Sequence, residues 1–272
     1  MARPFWITAL LGLNLTLFSA FSVQAHEFWL LPNYFTLEDG AQIQVALRNG
    51  EKMKGIELPY LPGDVARFEL VMGETITPIT SRLGDMPAMD IAAPASGLAV
   101  VLHETTPTLL TYKDFAKFQR FATHKATPQA IKEHAARGLP ETGFSEDYRR
   151  FAKTLIAVGA GAGSDRAMGL RIEIVALANP YTDDLSAGMP LLVLLDGQPR
   201  AAAQLELFAT APDGTVTQTP YTTDAAGQVT VPAQAGFTYL ADSVDLFALP
   251  NNDPAAGPVW HSDWASLTYL VP

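Results

Sequence analysis

The 272-residue chain contains no cysteine. That excludes a disulfide framework, thiolate metal sites, cysteine nucleophiles and a lipid-anchored lipoprotein, so stability has to come from packed cores. Positive charge is scarce too: 18 Lys and Arg stand against 28 Asp and Glu, a net charge of −10. Without clustered basic residues, no nucleic acid or anionic lipid is expected as a partner. Such a surface suits cations instead. Beyond the first 25 residues no apolar run approaches the roughly 20 residues that a membrane span needs. No GxSxG elbow marks a hydrolase, and no HxxxH spacing marks a helical metal site.

The opening residues are of a different kind. Arg3 precedes an apolar run from Ile7 to Phe21, and Val23 and Ala25 supply the small residues of a peptidase site. Residues 1–25 are therefore expected to be a signal peptide, removed on export to the periplasm of a Gram-negative bacterium. Processing would leave His26 with a free amine beside its imidazole, a pair of nitrogens that can chelate one metal ion.

Period-two alternation dominates the remainder of the chain, as in half-buried strands. Ile43, Val45 and Leu47 share one face of 42–48, while Phe68, Leu70, Met72 and then Leu98, Val100, Leu102 repeat the pattern. Residues 111–150 break it. Thr111 and Asp114 suggest a capping box, and Phe115, Phe118 and Ala122 recur at helical spacing. Thr127-Pro128 reads as the next helix start, closed by Gly138. Two short helices are expected within 113–137, with strand character returning at 152–158.

Gly159-Ala160-Gly161-Ala162-Gly163 resembles a phosphate-binding loop, but no helix follows it, so a flexible interdomain or hairpin loop is expected. Strands are then expected at 171–177, 190–195, 203–209, 215–221, 228–232, 236–241 and 264–271. The fold class is all-β. An N-terminal β-rich domain (26–165) carrying the helical insertion precedes an immunoglobulin-like or prealbumin-like sandwich (166–272).

Five histidines are available to chemistry. His26 opens the apolar stretch Phe28-Trp29-Leu30-Leu31 and either binds metal there or frays in solvent. His103 lies opposite Leu98, Val100 and Leu102, which places it on the surface or on a cleft. His124 and His134 share the insertion, as ligands or as solvated helix surface. His261 shares a strand face with Asp263, a ligand or an orienting carboxylate, while Trp260 and Trp264 take the other face. Met86 and Met89 flank a loop where two thioethers can hold copper(I) or cap a core. Carboxylates are too scattered to support catalysis, so no enzyme is expected.

Seven stretches carry a resemblance. AHEFWLLP at 25–32, LGDMPAM at 83–89, YRRFAKTLIAVG at 148–159 and GLRIEIVALANP at 169–180 come first. VLLDGQPRAAAQLELF at 193–208, TDAAGQVTVP at 223–232 and WHSDWASLTYLV at 260–271 complete them. In that order the chain resembles the domain-of-unknown-function 4198 family, whose members are commonly labelled periplasmic components of cobalt or nickel uptake systems. The resemblance implies a β-rich first part, a prealbumin-like second part and transition-metal handling. Of the histidines only His26 lies on a position of the family's opening motif, while His261 lies within the closing one. The resulting expectation is a periplasmic protein that binds a divalent transition metal, nickel or cobalt before copper or zinc. His26, His134 and His261 would be its ligands and a membrane metal transporter its partner. The alternative is a ligand-free structural or partner-binding sandwich of the cell envelope.

Overall fold

Alternating apolar residues fold into strands through nearly the whole length of the chain. The computed structural model describes residues 26–272; the expected leader lies outside them. The first half contains β1 (Glu27–Pro32), β2 (Thr36–Leu37), β3 (Gln42–Glu51), β4 (Lys54–Leu58), β5 (Val65–Met72) and β6 (Thr75–Pro78). β7 (Met89–Ala92), β8 (Gly97–Thr105) and β9 (Thr108–Tyr112) follow, then α1 (Phe115–His124), α2 (Gln129–Ala136) and β10 (Phe144–Val158). The second half adds β11 (Ile172–Ala176), β12 (Met189–Leu195), β13 (Gln198–Pro199), β14 (Gln204–Thr210) and β15 (Val216–Thr222). β16 (Gln228–Val231), β17 (Thr238–Ala248) and β18 (Trp260–Leu270) close the chain. The fold is all-β, as the alternation predicts.

One large sheet organises the rest. Its strand order is β15-β14-β17-β18-β10-β8-β5-β6, with β2 and β9 also pairing with β10. The join between β10 and β18 is parallel, with Glu146 opposite Trp260 and Thr154 opposite Thr268. Both faces are covered. Leu98, Val100, Leu102, Phe151 and Leu155 face a small sheet of β11, β12, β13 and β16 through Ile172, Leu191 and Val193. On the other face Ala99, Val101, Ala152 and Ile156 meet the sheet of β1, β3, β4 and β7 through Phe28, Leu30, Ile43 and Val45. Beside that sheet the two helices cover Tyr112, Phe144, Trp260 and Trp264.

The expected domain boundary at 165/166 does not separate two cores. Val71, Leu98 and Phe151 from the first half pack in the same cluster as Leu191, Leu207 and Tyr269 from the second. Each half needs the other's strands to bury its apolar face, because β10 and β18 are neighbours in one ladder.

The helical insertion forms with shifted ends. Asp114 caps α1 by accepting from the Ala116 amide at 2.9 Å, and Phe118, Phe121 and Ala122 face inward. Thr111 belongs instead to β9, where its hydroxyl pairs with Ser145 at 2.9 Å. Thr127 does not cap α2; its hydroxyl turns back to the Ala122 carbonyl, and Pro128 takes the cap position.

Nor is the glycine-rich stretch a loose linker. The Gly159 amide donates to Leu37, Ala162 accepts from the Leu98 amide, and the buried Asn179 amide donates to the Gly161 and Gly163 carbonyls at 2.8 and 2.9 Å. Gly161 has φ 62°, and a β-carbon there would lie 2.7 Å from that of Ala157. Glycine is needed at this position for close approach as well as for turning. Asn179→Ala removes both anchors and is expected to cost about 1–3 kcal/mol in chemical denaturation and to make 159–165 the first site of proteolysis. Unchanged stability would show that the loop holds itself.

Candidate functional site

Between the large sheet, the small N-terminal sheet and the helices, the packing leaves two cavities that share one wall. Alternation along β10 puts Glu146, Tyr148 and Arg150 on one face, and the parallel register sets them beside Trp260, Ser262 and Trp264 of β18. The first cavity, about 240 Å³, is lined by His26, Tyr112, Lys117, Phe121, Glu146 and Trp264 among others. The second, about 270 Å³, is lined by Phe28, Leu47, Leu58, Val65 and His103 among others. Asn49, Tyr148 and Arg150 belong to both.

Arg150 is the unusual residue at this junction. The Phe28, Tyr148 and Trp264 rings surround its guanidinium carbon at 5.7, 5.1 and 5.9 Å. One Nη donates to Asn49 Oδ1 at 2.9 Å, whereas the buried Nε has no partner in the protein. Burial lowers its pKa from the ordinary arginine value, a direction that leaves it fully charged.

The other charged side chains of β10 each meet an opposite charge or a hydrogen-bond donor, although the Nε of Arg149, like that of Arg150, has no partner. Asp147 bonds His261, Arg149 pairs with Glu104, and Lys153 meets both Asp165 and Glu173. Glu146 accepts from the Tyr112 hydroxyl at 2.6 Å and from Ser262, and burial raises its pKa. Among the described residues, no carboxylate lies within ion-pairing distance of Arg150. Its partners are one amide and three aromatic faces.

His103 is the second unanswered group. It is 2 % exposed and wedged between Phe28 and Phe68, with ring centroids at 5.4 and 5.1 Å. Neither ring nitrogen has a hydrogen-bond partner in the protein. Burial pushes its pKa down to about 3, so the ring is neutral near pH 7. The expected surface position is thus corrected: the face opposite Leu98 and Val100 is also interior, because the large sheet is covered on both sides.

The structure does not bring the three expected ligands together. His26 is half-exposed at the first cavity, its Nε2 3.7 Å from Glu51. His134 is buried against Phe115, Phe144 and Trp260; its Nε2 faces the Pro140 carbonyl at 3.0 Å and its Nδ1 accepts from the Trp260 indole at 3.1 Å. Neither nitrogen is left for a metal, and the helix-surface alternative is corrected as well. His261 lies between two carboxylates, Nδ1 at 2.8 Å from Asp147 and Nε2 at 2.9 Å from Asp263. Burial works against its charge, but the two carboxylates prevail and raise its pKa. The orienting role expected of Asp263 is therefore filled, and Trp260 and Trp264 take the other face as the alternation predicts.

The remaining candidates are also committed elsewhere. His124 Nε2 is 3.0 Å from Glu206. Beside it the buried Lys125 ammonium stands 2.5 Å from Glu206, 2.8 Å from Asp242 and 3.8 Å from Glu27, occupying the centre that a cation would need. Met89 is fully buried and Met86 is 59 % exposed, so the two thioethers do not share a site. Among the described residues, no group of three or more His, Cys, Asp or Glu is arranged to hold a metal ion.

Sequence reasoning missed Arg150, Glu146 and Tyr148. Their signal was a polar period-two run, 146-148-150, leading directly into the apolar 152–158. Setting 111–150 apart from the strand pattern, with strand character returning only at 152, concealed it.

A family profile described as "Domain of unknown function (DUF4198)" matches residues 23–244. No curated protein matches the chain. The solved structure titled "Crystal structure of tetra-tandem repeat in extending region of large adhesion protein" aligns with 10 % identity and a TM-score of 0.21. The alignment covers 90 % of this chain and 49 % of that one, a likeness too low to carry an argument. No helix among the described residues is long and apolar enough to cross a membrane.

His103 generates a pH signature. Its folded pKa lies below the ordinary value of 6.5, so between about 3 and 6.5 the unfolded chain binds a proton that the folded one refuses. Its contribution is full above 6.5 and is lost as pH falls towards 3, of the order of a few kcal/mol. Denaturation of the wild type and His103→Phe from pH 7 to 4 should show the wild type losing stability relative to the variant. Parallel curves would contradict a buried neutral histidine.

Proposed function

We propose that this chain, which belongs to the DUF4198 family, is an exported, non-catalytic binding protein of the cell envelope that holds a small organic anion against Arg150. The observation that carries this reading is Arg150 itself, a part-buried guanidinium at the junction of two cavities, with a buried, unpartnered Nε and no carboxylate within ion-pairing distance. Leaving a buried charge unpaired is costly, and aromatic faces offset only about 0.5–2 kcal/mol each. A carboxylate entering the junction supplies the missing charge, and the planar fork of arginine suits it in two-point contact. Lys117 at the first cavity adds attraction of the same sign, with Glu146 in the same lining tied up by Tyr112 and Ser262.

Calorimetric titration of the processed protein with short monocarboxylates, benzoate and 3-phenylpropanoate, tests the reading. Binding is expected, with Arg150→Gln weakening it at least tenfold, about 1.4 kcal/mol. Absence of binding across these acids, or equal affinity in Arg150→Gln, would overturn it.

A second reading rests on His26. Its half-exposed imidazole stands 3.7 Å from Glu51 at the start of a buried strand. Cleavage after Ala25 would add an amine to that pair, giving amine, imidazole and carboxylate donors for a nickel- or cobalt-type ion, with a membrane transporter as recipient. Since the amine must lose its proton to bind, affinity should rise with pH through about 7.7–8.0. A form with one Gly before His26 should bind nickel more weakly than processed protein. Equal affinities would remove the amine from the site, and no binding by processed protein would remove the metal.

A further inference from the structure

Of the two cavities that meet at Arg150, the second is the more selective in its lining. Phe28, Leu47, Leu58 and Val65 give it an apolar body. An apolar cavity of about 150 Å³ already admits benzene, so about 270 Å³ accommodates a phenyl-sized group with a short chain. His103 and Arg150 both stand in the wall of this cavity, and both pack on the same ring, Phe28, at 5.4 and 5.7 Å. The cavity therefore combines a cation, an apolar lining and a buried imidazole whose nitrogens bond nothing in the protein.

An unsatisfied buried polar group in a folded chain calls for an explanation, because it carries its desolvation cost without return. Phenylalanine in place of His103 would complete the cluster with Phe28 and Phe68 at no such cost. The imidazole is neutral, so it offers one N–H and one lone pair to an uncharged partner and has no charge with which to hold a second anion. The exposed Asp64, also in the lining, repels a second anionic group.

We infer that the ligand is a monoanionic hydroxy acid with an aryl or short aliphatic body, its carboxylate on Arg150 and an uncharged hydroxyl on His103. This inference rests on the anion-binding reading above and names the ligand class for the same site. A site built to bond a hydroxyl discriminates strongly against the analogue lacking it, because its own polar group is then left unpaired.

The test compares 3-phenylpropanoate with 3-(4-hydroxyphenyl)propanoate by calorimetry on the processed full-length protein. Wild type is expected to prefer the hydroxylated acid about tenfold or more. His103→Phe should lose that preference, whatever its affinity for 3-phenylpropanoate. His103→Gln, which can still bond a hydroxyl, should keep part of it. Equal binding of the two acids by wild type overturns the inference and leaves the anion reading intact, as does a preference that persists undiminished in His103→Phe. Failure of wild type to bind either acid overturns both. The wild-type comparison decides the question even where a variant does not fold.

Discussion

β10 is the constraint on which the rest of the molecule depends. Its 15 residues are extended without interruption, and each edge serves two partners in succession. One edge carries β18 and then β2; the other carries β9 and then β8. Because one sheet packs on one face and a second sheet plus two helices pack on the other, most of the strand is buried, and only Asp147 to Arg150 are partly exposed. A strand buried on both sides ordinarily reads as an apolar run. This one carries Glu146, Asp147, Arg149, Arg150 and Lys153, so each charge needs an answer within the protein.

Those answers shape the surroundings. Lys153 draws Asp165 and Glu173 towards β11 and so fixes the path of the loop after the strand. Asp147 and Asp263 hold His261 between the two parallel strands. Glu146 ties the insertion to the sheet through Tyr112 and Ser262, and Ser262 in turn accepts from the Trp264 indole at 2.8 Å. Each arrangement replaces water by a partner, as buried charges require. Arg150 lies in the same strand under the same constraint and is met by an amide and three rings alone. The two cavities open at that position. The proposed function is the consequence of this one exception.

Much of the fold was legible because the period-two rule needs only local alternation. The strands expected at 190–195, 203–209 and 228–232 form as 189–195, 204–210 and 228–231. β17 and β18 run longer than their apolar cores suggest, since Asp242, Asp245, His261 and Asp263 interrupt the hydrophobic pattern yet are paired within the protein. The pairing of β10 with β18 joins residues more than 100 positions apart and has no local signature. The site was less legible for the same reason. Sequence reasoning ranked residues by their own chemistry and so chose histidines. What distinguishes Arg150 and His103 is the absence of partners, a property of the assembled neighbourhood. His134 and His261 are the converse case: chemically suited to metal, and already satisfied by Trp260, Pro140, Asp147 and Asp263.

The central claim is that Arg150 is a part-buried cation with no paired carboxylate, placed to receive an anion, and its own guanidinium N–H groups report on that directly. Nitrogen-15 spectra of the side chain, followed during titration with 3-phenylpropanoate, are the most direct measurement. The account predicts that the Arg150 Nε–H resonance moves to higher proton frequency, as for a charge-assisted hydrogen bond, and that its exchange with water slows. The other arginines, which line neither cavity, should hardly respond. An Arg150 signal unmoved at saturating acid, or equal shifts across all arginines, would contradict the account.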